Sequence, residues 1–192
     1  MAFDTTIAIL TVPEAKDFAK KTDDNDLAVF EAIVNGIHEI VRSVTGRVFP
    51  TTTYTNEYYD SAGWPDLWLI NKPVTTLTSV YEDGVLLTAD VDYYAYLSEG
   101  RLRRIEAGED SVWTPGPRKI KVTYIAGYAL TAMPTDLKMA VGAQVADLWG
   151  KQQRKSWGEI SRSLSGQSVT VSETDLLPFV KTILQRYKRK TW

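Results

Sequence analysis

Apolar positions along the chain follow three regimes in turn, helical, alternating and helical again, and these predict the order of its elements. Thr11-Val12-Pro13-Glu14 carries the capping-box pattern with proline near the first helical position, opening a short helix to about Lys20. Asp23-Asp24-Asn25-Asp26 then offers N-cap candidates and acidic groups for the positive end of a second helix. In that helix Leu27, Phe30, Val34, Ile37, Val41 and Val44 recur three and four apart. Ile33 and Ile40 widen the stripe, so it is expected to be one broad buried face. Gly46 is a natural C-terminal stop.

From Thr51 to Gly127 the period changes, and Thr, Tyr, Val and Leu dominate between turn residues. Asp83-Gly84 lies between Leu77–Tyr81 and Val85–Leu87, a strong hairpin signal. Ser98-Glu99-Gly100 separates Tyr93–Leu97 from Arg101–Ile105 and predicts a second hairpin, while Lys119–Ile125 alternates polar and apolar as a half-buried strand does. Helix returns at Pro134, with Leu137, Val141, Gln144, Val145 and Leu148 on one face, and is expected to end near Gly150. Lys151 to Ser172 is rich in Ser, Gly and charge and reads as a long loop with a brief hairpin around Ser165-Gly166. A last helix follows Pro178, with Phe179, Val180, Ile183, Leu184 and Tyr187 on its apolar side. The expected fold class is therefore α+β: a helical core of about four helices, residues 1–50 and 128–192, carrying an inserted small antiparallel β subdomain at 51–127. The loop at 151–172 belongs to the core.

Composition narrows the chemistry. The 192 residues are 44% hydrophobic and 24% charged, enough for a real core without staples. With no cysteine, disulfides, iron–sulfur clusters and thiolate zinc sites are excluded. No apolar run approaches the ~18 residues of a membrane span, and Met1-Ala2-Phe3-Asp4 lacks the start of a signal peptide, so synthesis in a cytoplasm is expected. A net charge of −2 gives the whole chain no electrostatic reason to coat nucleic acid.

Candidate sites are few. His38, the only histidine, falls between Val34 and Val41 beside the apolar stripe and reads as a boundary histidine at a core edge or interface. Asp23 to Asp26 lacks the glycine and terminal glutamate of a calcium loop, and Gly150-Lys151 lacks the spacing and setting of a phosphate loop. Glu57, Asp60 and Asp66 lie among Tyr54, Tyr58, Tyr59, Trp64 and Trp68. Carboxylates among aromatics suit a glycosidase cleft or sugar platform, but aromatics packing under the sheet or against a neighbour account for the same residues. Tyr58, Tyr59, Trp64, Trp68 and Trp157 are the candidate interface residues. The C-terminus is basic through Lys181, Arg186, Lys188, Arg189 and Lys190, and ends on Trp192. Helix-dipole compensation, phosphate contact and insertion into an acidic partner groove with Tyr187 and Trp192 as anchors all fit it. No catalytic residue, metal site or cofactor is expected.

Three stretches carry a likeness to a known family. One is Leu10-Thr11-Val12-Pro13-Glu14-Ala15-Lys16-Asp17-Phe18, then an acidic spacer and a helix ending Val44-Thr45-Gly46-Arg47. Another is Gly100-Arg101-Leu102-Arg103-Arg104, Trp113 and Val122-Thr123-Tyr124-Ile125-Ala126-Gly127-Tyr128. The third is Met133-Pro134-Thr135-Asp136-Leu137-Lys138-Met139-Ala140, with Leu177-Pro178 and a basic helix beyond. In order and spacing these resemble the head–tail connector (adaptor, or head-completion) proteins of long-tailed bacteriophages and related gene transfer agents. One departure is Met133, where such proteins usually show a smaller branched residue; the β segment is also longer than in compact members. The resemblance implies a structural virion protein of the neck that forms a homo-oligomeric, dodecameric ring. That ring would sit under the portal, prolong the DNA channel without reading DNA sequence, and present its far face to a stopper or tail-completion protein. It would also direct Arg186, Tyr187, Lys188, Arg189, Lys190 and Trp192 toward the portal. The alternatives are another tail or baseplate subunit, and a carbohydrate-binding module or glycosidase.

Overall fold

A computed structural model describes residues 2–154 and 176–189, and the backbone of 161–164 and 167–170. The chain divides into two compact units, residues 1–49 with 132–192, and residues 50–131.

The first unit is helical. Helix α1 (Val12–Ala19) starts on a complete capping box: the Thr11 hydroxyl accepts from Glu14 N, and the Glu14 carboxylate accepts from Thr11 N. Helix α2 (Leu27–Thr45) ends at Gly46, whose φ of 67° is the left-handed C-terminal stop expected there. Its start differs from expectation. Asp26 sits at the N-cap with φ 55° and makes no side-chain capping bond, while Asp24 pairs with Lys16 and Asp23 with Lys21. The acidic run thus serves nearby lysines. Helix α3 (Thr135–Gln153) follows a single 3-10 turn, Leu130–Ala132. It runs three residues past Gly150, and the Lys151–Asp147 pair at 2.8 Å supports that last turn. Ser161–Leu164 pairs antiparallel with Gln167–Thr170 on either side of Ser165-Gly166, where a brief hairpin was expected, while residues 151–153 of the expected loop belong to α3. Helix α4 (Pro178–Tyr187) opens on its proline.

Phe30, Val34, Ile37 and Val41 of α2 meet Leu137, Val141, Val145 and Trp149 of α3 and Val180, Ile183 and Leu184 of α4 in one core. Phe30 stands edge-on to Trp149 at 5.2 Å between centroids, the arrangement ring quadrupoles favour. Burying side chains of this size stabilises by about 1.5–3 kcal/mol each. His38 corrects its expected position: it is 1% exposed, inside the core and not at its edge. There Nε2 accepts from Ile9 N and Leu10 N, both at 3.4 Å, holding the buried Ile7–Leu10 segment against α2. Nδ1 has no partner among the described residues. Burial pushes the imidazole down from 6.5 to about 4, so it is neutral at pH 7.

The second unit holds two antiparallel sheets where one was expected. In the first, the strand order is β1 (Thr52–Ser61), β8 (Gly116–Ala126), β3 (Val74–Glu82), β4 (Val85–Leu86). The predicted Asp83-Gly84 turn joins β3 to β4 with positive φ at both residues. Central β8 buries alternate residues Ile120, Val122, Tyr124 and Ala126. The other sheet runs β2 (Asp66–Trp68), β6 (Arg101–Glu106), β5 (Tyr93–Tyr96), with β7 (Glu109–Asp110) also pairing β6. Leu67, Leu69, Leu102 and Trp113 fill one core with the buried residues of β1, β3 and β8. Local turns are legible in sequence, but which hairpin joins which sheet depends on long-range pairing and is not.

Candidate interaction surfaces

Two of the expected interface aromatics stand on or beside the second sheet, each in a different setting. Trp68 is paired across the strands with Arg101, and Arg101 with Tyr96. The Arg101 guanidinium lies 3.9 Å from the Tyr96 ring and 5.9 Å from that of Trp68, while Lys72 Nζ covers Trp68 at 4.6 Å. The next row is Asp66, Arg103 and Tyr94, in the same register. Arg101 bonds Asp66 at 3.1 Å and Glu99 at 3.0 Å, and Arg103 grips Asp110 with Nε at 2.8 Å. The hydrogen bond Arg101 donates to Glu99 raises Arg101, those Arg103 donates to Asp110 raise Arg103, and the same bonds lower the Asp110 carboxyl. The sheet therefore shows solvent a ladder of partly exposed rings, with guanidinium groups between them whose charges are already paired. Such a face holds few loose rotamers and suits contact with a protein surface. Trp64, 70% exposed, precedes β2, and Tyr58 on β1 is exposed beneath Arg118 at 4.2 Å.

Tyr59 departs from the expected interface role. It is 7% exposed, and its hydroxyl donates to Glu57 and lies 3.1 Å from that of Tyr124, which also donates to Glu57. Ile70 N donates to Tyr59 at 3.1 Å and Asn71 Nδ2 to Tyr124 at 3.1 Å, so this polar cluster ties the 70–71 segment to the sheet. Burial first, then the Glu57 carboxylate, drives both phenols up, and they do not ionise. Glu57 shares Tyr59's face of β1, while Asp60, which accepts from Arg118 N at 2.7 Å, shares the exposed face of Tyr58. Two carboxylates on opposite sides of a sheet do not flank one glycosidic bond. The glycosidase reading of this pair fails on that geometry.

At the C-terminus Arg186, Lys188 and Arg189 are exposed. Tyr187 is not a free anchor: its ring meets Phe49 at 5.7 Å, and its hydroxyl donates to Asp136 at 2.7 Å. Arg189 N donates to Thr45 O at 2.8 Å, fastening the chain after α4 to the end of α2. Lys190, Trp192 and Trp157 lie outside the described residues. Among the described residues no group of three or more side chains is placed to hold a metal ion, and no helix is long and apolar enough to cross a membrane.

Residues 8–190 match the family described as "Head completion protein". The chain belongs to that family. A search of curated proteins returns no match. Three solved structures share the fold across the full length of this chain. One, described as the neck of an empty GTA particle computed with C6 symmetry, is 15% identical with a TM-score of 0.55 over 95% of its chain. A second, the virion of a native gene transfer agent (GTA) particle, is 16% identical with a TM-score of 0.58 over 94%. A third, the neck of a native GTA particle computed with C12 symmetry, is 15% identical with a TM-score of 0.52 over 96%.

One surface of this head completion family member escaped the sequence reading. Ile33 and Ile40 were expected to widen the buried face of α2, yet Ile40 is 42% exposed and Ile33 half-buried. Val29 is 40% exposed on the same side. The available signal was arithmetic: α2 has more apolar positions than a single core-facing stripe can bury.

Proposed function

We propose that this head completion protein is a structural part of the neck of a tailed particle, forming a ring that connects the portal to a stopper or tail component and extends the DNA channel. The observation that carries the reading is the family match over residues 8–190, joined by a full-length fold likeness to chains of GTA necks. Cyclic symmetry in those necks supports a ring here, with twelve copies the favoured number. A ring repeats one heterologous contact, so every subunit needs two different complementary surfaces. The paired-charge ladder of Trp68, Arg101 and Tyr96 fits a partner-facing role, because its side chains are already ordered before docking. Arg186, Lys188 and Arg189 are the described residues proposed to face the portal. DNA passes through without sequence-specific contact, consistent with a net charge of −2.

Deleting the gene tests this directly. Imaging is expected to find DNA-filled or leaking heads without tails, and label on the complemented protein should lie between head and tail. Normal tailed particles from the deletion strain would refute the connector, and label at the distal end of the tail would favour the baseplate alternative.

A further inference from the structure

The apolar surface of helix α2 is wider than its core-facing side, with Glu31, Asn35, Glu39, Arg42 and Ser43 gathered on the remaining flank. At roughly 100° per residue, the core-facing stripe Phe30, Val34, Ile37, Val41 has a twin displaced by one residue: Val29, Ile33, Gly36, Ile40. The twin faces outward, and Ala28 and Ala32 beside it are also exposed. A Cβ built on Gly36 would meet no atom within 4 Å. Glu39, the charge nearest this seam, is held by Arg42 at 3.2 Å. An apolar seam that lies outside the core, beside the polar flank of its own helix, is a surface still to be buried.

Helix α3 has a second outward seam with the same spacing of four, three and four: Met139, Ala143, Ala146, Gly150. Met139 is 48% exposed, and the other three are small and partly exposed. The two seams are opposite in size pattern. That on α2 has three branched side chains and one gap, at Gly36, whereas that on α3 has three gaps and one long side chain, at Met139. Run antiparallel, with Met139 in the gap at Gly36, the register brings Ala143 to Ile33, Ala146 to Val29 and Thr135 to Ile40. Gly150 then lies level with Asn25 and Asp26. The Arg154 guanidinium is folded over Gly150, with Nη1 3.4 Å from where a Cβ would be, and Asp26 makes no capping bond. Size and charge therefore agree on one register.

We propose that the outward seam of α2 in one subunit packs antiparallel on the outward seam of α3 in the next copy of the chain. This contact, repeated, closes the ring. The proposal rests on the ring reading above and names its interface. Spacings of three and four suit helix pairs crossing near 20° at about 8–10 Å, and a glycine at the crossing permits close approach. Symmetric packing of α2 on α2 would stop at two copies and leave the α3 seam open.

The chain has no cysteine, so introduced pairs report single contacts. Two double variants, Gly36→Cys with Met139→Cys and Ile40→Cys with Thr135→Cys, are built into particles carrying no other copy of the gene. All four positions are open in the free subunit or, at Gly36, sterically empty, so folding is expected to survive and is checked by circular dichroism. Mild oxidation of purified tailed particles should turn each double variant into a ladder of disulfide-linked multimers, and leave each single variant monomeric. Tailed particles in which neither pair links would overturn the interface while the connector reading stands. A dimer from Gly36→Cys alone, or its linkage to a different virion protein, would overturn it in favour of another occupant. Absence of the chain from tailed particles would remove the ring reading and this contact with it. Independently, Ile40→Asp should fold normally and lower the yield of tailed particles about tenfold or more, because it buries an unpaired carboxylate. An undiminished yield would count against the seam.

Discussion

Mild acid should loosen the helical unit through a single side chain. His38 is neutral in the fold at about pH 4 and above, whereas in the unfolded chain it titrates at its ordinary 6.5. Its folded value is depressed, so the unfolded state takes up a proton first as pH falls. The stabilisation is whole above 6.5 and is lost between 6.5 and 4. The difference of 6.5 and about 4 corresponds to a limit of about 3.4 kcal/mol, of which about 2 kcal/mol is gone at pH 5. Carboxylates contribute little in that window, since their ordinary values are 3.8 and 4.5 and those of Asp4, Glu14, Asp23 and Asp110 are lowered further. The assay is urea unfolding followed by the helical circular-dichroism signal at about pH 7 and about pH 5. A His38→Gln variant serves as control, its amide oxygen reaching toward Ile9 N and Leu10 N without titrating. The wild-type protein should lose about 2 kcal/mol on acidification and the variant much less. Equal losses in both, or no loss in either, would refute the buried neutral imidazole.

Two further outcomes follow from close contacts and from charge. A Cβ at Gly142 would stand 2.4 Å from the Phe18 ring, so Gly142→Ala should destabilise despite the gain of about 1 kcal/mol that alanine brings to a helix. In a Phe18→Ala background the same change should stabilise, and unfolding curves that show no reversal of sign would dismiss the clash. Reversing the exposed cations, Arg186→Glu with Lys188→Glu, should leave the thermal midpoint within a few degrees while weakening portal docking in a pull-down with purified portal; docking at wild-type strength would clear this end of the chain of that task.

What the sequence disclosed follows the range of the interaction. Capping at Thr11, the stop at Gly46 and the Asp83-Gly84 turn are set within four residues, and each stands where the pattern put it. Asp26 misled because its backbone is left-handed, at φ 55°, and its side chain makes no capping bond, while Lys16 and Lys21 claim the aspartates before it. Tyr58 and Tyr59 are adjacent and chemically alike, yet the pleat sends one to solvent and the other into a hydroxyl cluster with Tyr124, sixty-five residues on. Sequence periodicity marks alternation but not which phase faces the core. Trp64 and Trp68 did emerge as surface aromatics, while the guanidinium ladder around Trp68 depended on strand register that no local signal gives. The outward seam of α2 was visible as surplus hydrophobicity and was assigned to the wrong side.

Pro50 and Tyr128 form a bridge, and Thr51 N donates to Tyr128 O at 3.1 Å, so the β unit begins and finishes at one spot. The helical unit accordingly experiences the whole of residues 50–131 as a loop with fused ends. Whatever lies between residues 51 and 127 is thereby closed off at the bridge, where the entering and leaving strands stay side by side.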